Sequence, residues 1–138
     1  SDGAKAVGGV KITVDEARGF FAHPSQQVFG ITPDTLPGEP FEYWAHGHVC
    51  GVAHMAPHPG VWMVHMAVKP EGWGRAVESG RLLLREFWTE KQPKRLIGWT
   101  PSNLRAAWGF ARRCGFVEDG RMPLGDYDII MSGWRNGD

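Results

Sequence analysis

The sequence predicts an α/β fold: a single mixed, mostly antiparallel central sheet flanked by helices. Three observations carry that prediction. Aromatic and β-branched runs separated by short turns fill the middle of the chain. Two later stretches switch to helical periodicity, with a strand-like run between them. Glycine (19 residues) and proline (10) are scattered between these runs rather than gathered in a linker, so they read as turns. A chain of 138 residues has room for one ordinary domain with one buried core.

Taken in order, residues 1–10 lack a starting methionine and strong periodicity. They read mostly as a tag or disordered terminus, with the domain taken as 11–138. Val10 to Val14 is a short β-branched run suited to a first strand, and Asp15 to Ala22 a short helix stopped by His23-Pro24. Residues 24–40 hold four prolines and no sustained pattern, which predicts a loop with a helical turn. Phe41 to Ala45, His48 to Met55 and Val61 to Val68 form an antiparallel meander. From Arg75 to Thr89, Ala76, Gly80, Leu83, Leu84 and Phe87 recur on one helical face, with Glu78, Arg81, Arg85 and Glu86 mostly elsewhere. Lys94 to Thr100 is a further strand. A second helix runs from Ser102 to Arg113, capped by Ser102 or Asn103, with Leu104, Ala107, Trp108 and Ala111 as its stripe and Gly115 as its stop. Phe116 to Glu118 and Tyr127 to Met131 close the sheet.

Composition removes several classes of function. Fifteen basic residues balance fifteen acidic ones, which argues against a protein that holds nucleic acid. A hydrophobic fraction of 42%, with seven tryptophans and seven phenylalanines, is too apolar for a disordered chain. No run approaches the roughly 18 apolar residues of a membrane span, and no signal-peptide pattern opens the chain. Cys50 and Cys114 are too few for a disulfide scaffold and read as buried small apolar groups. The expectation is a soluble, cytoplasmic domain without membrane or nucleic-acid partners. A neutral charge and exposed aromatics permit a homodimer.

The segment from Val64 to Ala76 carries the most chemistry. A buried strand enters a turn containing Gly72 and Gly74, and the turn opens directly into the long helix. Two readings compete: a plain tight connection, or a phosphate site. For the second, glycines let the backbone approach a ligand, free N–H groups and the positive dipole end face it, and Arg75 adds charge. This is not the dinucleotide signature, because Val77 stands where its third glycine belongs. On the second helix, Asn103, Ala106 and Phe110 lie at 0, +3 and +7, on one face beside the Leu104 stripe. An amide, a small residue and an aromatic ring on one face suit a groove for a thin ligand.

These two segments together resemble the GNAT acyltransferase superfamily. The pattern N-x-x-A-x-x-x-(Y/F), followed by Gly115-Phe116, stands about thirty residues downstream of Val68-x-Pro70 and the glycine turn. The resemblance covers Phe41 to Met131, about two thirds of the chain. It implies acetyl-coenzyme A as cosubstrate, held between two splayed strands. The backbone of Met66 to Val68 would bond the pantetheine arm, and the amides of Gly72, Trp73, Gly74 and Arg75 the pyrophosphate. Asn103 would contact the pantetheine and Phe110 would lie near the thioester sulfur. Three features depart from the family pattern. Trp73, Ala76 and Glu78 stand where a Gln/Arg and two small residues are usual, and Glu78 repels phosphate unless it points outward. Phe110 replaces a tyrosine that often protonates the leaving thiolate. Trp62 and Val64 replace the carboxylate or histidine often found early in the central strand.

Five of the six histidines, His46, His48, His54, His58 and His65, fall within twenty residues. Gly47 reads as a turn between His46 and His48, so no metal site is predicted. His54 and His65 lie on central strands and are the candidate catalytic bases, against the alternative of hydrogen-bonded core histidines. His65 is out of phase with Trp62, Val64 and Met66, and points away from the acceptor if those three face it. Trp44, Trp62, Trp73 and Trp99 either pack the core or flank the groove. The expected activity is transfer of an acetyl group from acetyl-coenzyme A to a primary amine, on a small molecule or a peptide. Phe110→Tyr is expected to raise it. The rival is a non-catalytic binding or structural protein of the same fold, such as a phage protein.

Overall fold

The computed structural model describes residues 9–135, so most of the predicted tag lies outside the described residues. Seven strands form one sheet in the order β1-β2-β3-β4-β5-β7-β6. These are β1 (Val10–Ile12), β2 (Glu42–His46), β3 (Val49–Met55), β4 (Val61–Val68), β5 (Arg95–Pro101), β6 (Phe116–Leu124) and β7 (Tyr127–Trp134). Among the described residues only β4 and β5 pair in parallel; the other pairings are antiparallel. Three α-helices accompany them there: α1 (Val14–Ala17), α2 (Val77–Lys91) and α3 (Arg105–Cys114). Among these none is long and apolar enough to cross a membrane.

The boundaries follow local chemistry. β1 stops earlier than Val14 because Thr13 caps α1. The Glu16 N–H donates to Thr13 Oγ1 (3.1 Å), and the Thr13 N–H donates to Glu16 Oε1 (2.9 Å). Past Ala17 the helix tightens to a 3-10 turn over Arg18–Phe21, and two more cover Pro24–Phe29 and Pro33–Thr35. Val10 pairs with Ala45, in keeping with a strand that starts there rather than with a tag that runs to residue 10, and Gly9 is buried. β6 and β7 extend well beyond the predicted ends. A bulge between Glu118 and Gly120 leaves Asp119 out of register, and Arg95 and Arg135 pair with its carboxylate.

Each sheet face has its own core. On one, Leu83, Leu84 and Phe87 of α2 pack on Trp44, Val49, Val64 and Leu96, with Cys114, Phe116 and Trp134 beyond. Burying each of the three α2 side chains contributes about 1.5–3 kcal/mol. On the other, Ala17, Phe21 and Leu36 of the N-terminal segment pack on Tyr43, Cys50, Val52 and Ala67. In β4, then, Trp62, Val64, Met66 and Val68 face α2 and α3, while His65 and Ala67 face the N-terminal segment.

Candidate active site

The parallel ladder between β4 and β5 is short. It pairs Val61 with Arg95, Trp62 with Leu96 and Met63 with Ile97, and goes no further. Beyond it β4 stays on β3 through Val68, whereas β5 stays on β7 through Pro101. Neighbouring edges that keep different partners must separate, and a cleft of about 1010 Å³ opens where they do.

The β4 edge of that cleft has unpaired backbone. The Lys69 N–H donates to His48 O (2.9 Å), and the Ala56 N–H donates to Val61 O (2.8 Å). Odd-numbered residues of β4 therefore point their backbone groups at β3, and even-numbered ones at β5. Met66, beyond the last β5 partner, presents its N–H and C=O to the cleft. Val68 presents its N–H there, but the Trp73 indole Nε1–H donates to its carbonyl (3.1 Å). Of the backbone groups expected to serve a ligand, those of Met66 lie beyond the β5 ladder, whereas the Val68 carbonyl is already bonded.

The turn below the cleft also needs a correction. The Gly72 N–H donates to Lys69 O (2.8 Å), Trp73 N–H to Pro70 O (3.1 Å) and Arg75 N–H to Gly72 O (3.1 Å). Pro70 sets a 3-10 turn that consumes the first two amides, and a further turn at Gly72 takes that of Arg75. Free donors start instead at Gly74 (φ 83°) and continue through Ala76, Val77 and Glu78 at the start of α2, whose first intrahelical bond runs from Gly80 N–H to Ala76 O. Ala76, the cap residue, supplies no side-chain bond. Gly72 is required for another reason: a Cβ there would sit 2.6 Å from His48 Cβ. Glu78 is exposed and does not line the cleft, while the Arg75 guanidinium, bonded to Glu71 O (2.9 Å), does.

The far wall comes from α3. This helix starts later than predicted, because Ser102 Oγ accepts the Asp128 N–H (2.9 Å) and so ties the preceding turn to β7; Leu104 is the cap residue. Asn103 sits in that turn, exposed at the cleft, with no hydrogen bond among the described residues. Phe110 also lines the cleft, but its ring tip is aimed at α2: a Cβ on Gly80 would meet Phe110 Cζ at 3.0 Å and Cys114 Sγ at 2.6 Å. Arg105 and Arg113 add positive charge to this wall.

The two histidines part company. His54 does not line the cleft; it packs on Phe41 (4.7 Å) and its Nδ1–H donates to Met55 O (3.2 Å), so it stands apart from the groups gathered there. His65 lines the cleft from the face opposite to Val64 and Met66. Those residues face α2 and α3, so being out of phase turns His65 toward the N-terminal segment. Its Nε2–H donates to Gln26 Oε1 (3.0 Å), which leaves the lone pair on Nδ1. Burial pushes its pKa down to about 4, so the ring is neutral at physiological pH and a weak base. His46 and His48 are separate too, the first bonded to Ser79 Oγ (3.0 Å), the second packed against Gly72. Burial raises both Cys50 and Cys114 to about 12, so neither supplies a thiolate.

Trp73 and Trp99 flank the cleft as expected, whereas Trp44 and Trp62 stack on Phe87 (5.6 and 5.4 Å) in the core. Ser25, Gln26 and Phe29, which also line it, come from the segment the sequence left without a motif. Proline spacing shows a turn there, but not which face of the sheet it covers.

The fold has counterparts among solved structures. The chain has the GNAT acetyltransferase fold. It superimposes on AAC(6')-Ib in complex with paromomycin and acetyl-coenzyme A with a TM-score of 0.68 and 10% identity, over 96% of this chain and 94% of that one. A GNAT-family acetyltransferase from Streptococcus pneumoniae gives 0.63 at 14% identity, over 91% and 96%. One from Bacillus anthracis gives 0.57 at 12%, over 73% and 69%. No family model and no curated protein matches the sequence.

Proposed function

We propose that this chain is an acetyl-coenzyme A-dependent N-acetyltransferase acting on a primary amine of a small molecule. The observation that carries the reading is a coincidence of two features in one cleft. An unpaired strand edge at Met66 and an uncapped helix start at Gly74 to Val77 line it together. A pantetheine arm carries amides that can extend the sheet at such an edge, and a diphosphate suits such a helix start. The solved relatives of this fold that hold coenzyme A, acetyl-coenzyme A and aminoglycosides support the same assignment.

In this reading the diphosphate takes the Gly74, Ala76 and Val77 amides with Arg75 beside it, and the arm runs along Met66. Asn103 contacts the arm from the α3 side. Catalysis rests on positioning: the amine is held against the thioester, and backbone N–H groups polarise the carbonyl. The nitrogen lone pair attacks the carbonyl carbon, the C–N bond forms and the C–S bond breaks. Phe110 has no proton to give and faces Gly80, so the nitrogen's proton reaches the thiolate through solvent. His65, neutral, positions the acceptor through Nδ1 and is not the base.

The same two features, Phe110 and the depressed His65, favour a second reading in which the fold binds its ligand without turnover. A thermal-shift titration with acetyl-coenzyme A and free coenzyme A, then thiol release over a set of amines, separates the two. Binding to the native state raises the melting temperature by mass action. The absence of a shift from either compound at millimolar concentration removes both readings, and a shift with no thiol release from any amine leaves the second.

A further inference from the structure

The acceptor end of the cleft has a distinct chemistry. On the face covered by the N-terminal segment, Phe29 meets the His65 ring edge-on at 4.5 Å. Trp99 alternates with the buried Leu96 along β5 and so stands on this same face, lining the cleft with 48% of its surface exposed. Its indole N–H has no hydrogen-bond partner among the described residues. Gln26, almost fully buried, has its carbonyl oxygen taken up by His65.

The charges along the cleft are one-sided. Its titratable lining groups are His65, Arg75, Arg105 and Arg113, and among the described residues no aspartate or glutamate lines it. An alkylammonium entering this space leaves water without a carboxylate to pair with. The phosphates of a bound cosubstrate offset the arginines, but they offer no partner at the acceptor end. Nor does any lining group take up a proton near neutrality, since His65 is held near 4. An amine that is already neutral, attached to a ring, meets none of these costs and gains aromatic walls.

Building on the acetyltransferase reading, we propose that the acceptor is a weakly basic aromatic amine, held as its neutral base among Phe29, His65 and Trp99, and that polycationic amines are rejected for want of a lining carboxylate. The neutral nitrogen attacks the thioester carbon, the C–N bond forms, and the C–S bond breaks with its electron pair on sulfur. One N–H proton passes through solvent to the thiolate, giving an aryl amide and free coenzyme A.

The test uses the full chain with acetyl-coenzyme A and three acceptors: 4-methoxyaniline, its alkylamine counterpart 4-methoxybenzylamine, and paromomycin. Thiol release and product mass are followed from pH 6.5 to 8.5. Alkylamines with lysine-like pKa are neutral in well under one molecule in a hundred at pH 7, so 4-methoxyaniline is expected to lead in kcat/KM on the order of a hundredfold, with a flat pH profile. Faster turnover of the benzylamine or of paromomycin overturns the proposal. A melting-temperature shift with acetyl-coenzyme A but no aryl amide overturns it while sparing the acetyltransferase reading; no shift overturns both. Gln26→Glu, which places a carboxylate beside His65, is expected to raise benzylamine turnover at least about tenfold if absence of charge pairing is what rejects it. An unchanged benzylamine rate in a variant that still gives the acetyl-coenzyme A shift counts against the electrostatic argument.

Discussion

Replacing Gly72 by alanine tests the link between one packing contact and ligand affinity. The new Cβ would lie 2.6 Å from His48 Cβ and 3.1 Å from its Cγ. Carbon atoms in contact rest at about 3.5–4.0 Å, so the turn must retreat from β3 by about 1 Å. His48 Cβ is fixed to the backbone and has no rotamer to yield with. Overpacking of this kind costs about 1–3 kcal/mol, which lowers the melting temperature of a domain this size by several degrees. The displaced turn leads straight into Gly74 and the first amides of α2. A charge-assisted bond near 2.9 Å is lost when stretched by about 1 Å. Losing one or two of them costs about 1–3 kcal/mol of affinity, or about five- to 150-fold in Kd. Calorimetric titration with coenzyme A measures this, and S-acetylpantetheine, which has no diphosphate, provides the control. The loss is expected for coenzyme A and not for the control. Equal losses for both, or wild-type affinity with an unchanged melting temperature, refute the reasoning.

Three further outcomes follow. Burial holds His65 near 4, below the roughly 6.5 of an exposed histidine, so between those values the unfolded chain binds a proton that the folded one does not. Stability therefore falls as pH drops from about 6.5 toward 4, by up to about 3 kcal/mol, and urea midpoints at pH 7.5 and 5 are expected to differ less in His65→Gln than in the parent. Phe110→Tyr adds its hydroxyl at the ring tip that faces Gly80, so it is expected to lower the melting temperature and leave thiol release unchanged, against the expectation from family pattern alone; a rate gain of tenfold or more would place that hydroxyl in the cleft. Asn103→Ala, exposed and without a partner, is expected to change stability by less than about 0.5 kcal/mol while weakening coenzyme A binding several-fold.

The parts of the molecule that were legible in the sequence were those where periodicity and turn chemistry agree. The β2 to β4 meander, the α2 stripe of Leu83, Leu84 and Phe87, and the strand between the helices all follow from residue spacing. The meeting of Met66, Gly74, Arg75, Asn103 and Phe110 at one cleft was implied by the resemblance to GNAT acyltransferases rather than by spacing, and all five line it. The predicted strand ends at Glu118, whereas β6 continues to Leu124, because an edge strand with a bulge exposes residues such as Asp119 and Arg121. Which turn amides remain free was not legible: it depends on Pro70 starting a 3-10 turn, a tertiary choice between two tight geometries. His54 and His65 look equivalent by strand position. They differ because the N-terminal segment brings Gln26 and Phe29 to one and Phe41 to the other, and nothing local encodes that.

The most direct test follows the backbone amides themselves. In a ¹⁵N-labelled sample titrated with coenzyme A, the N–H resonances of Gly74, Ala76 and Val77 are expected to move downfield together and saturate with one Kd. Those of Gly72, Trp73 and Arg75, already bonded within the turn, are expected to move far less. Saturable binding that leaves the first three unmoved, or shifts only the other three, would contradict a diphosphate seated on the start of α2.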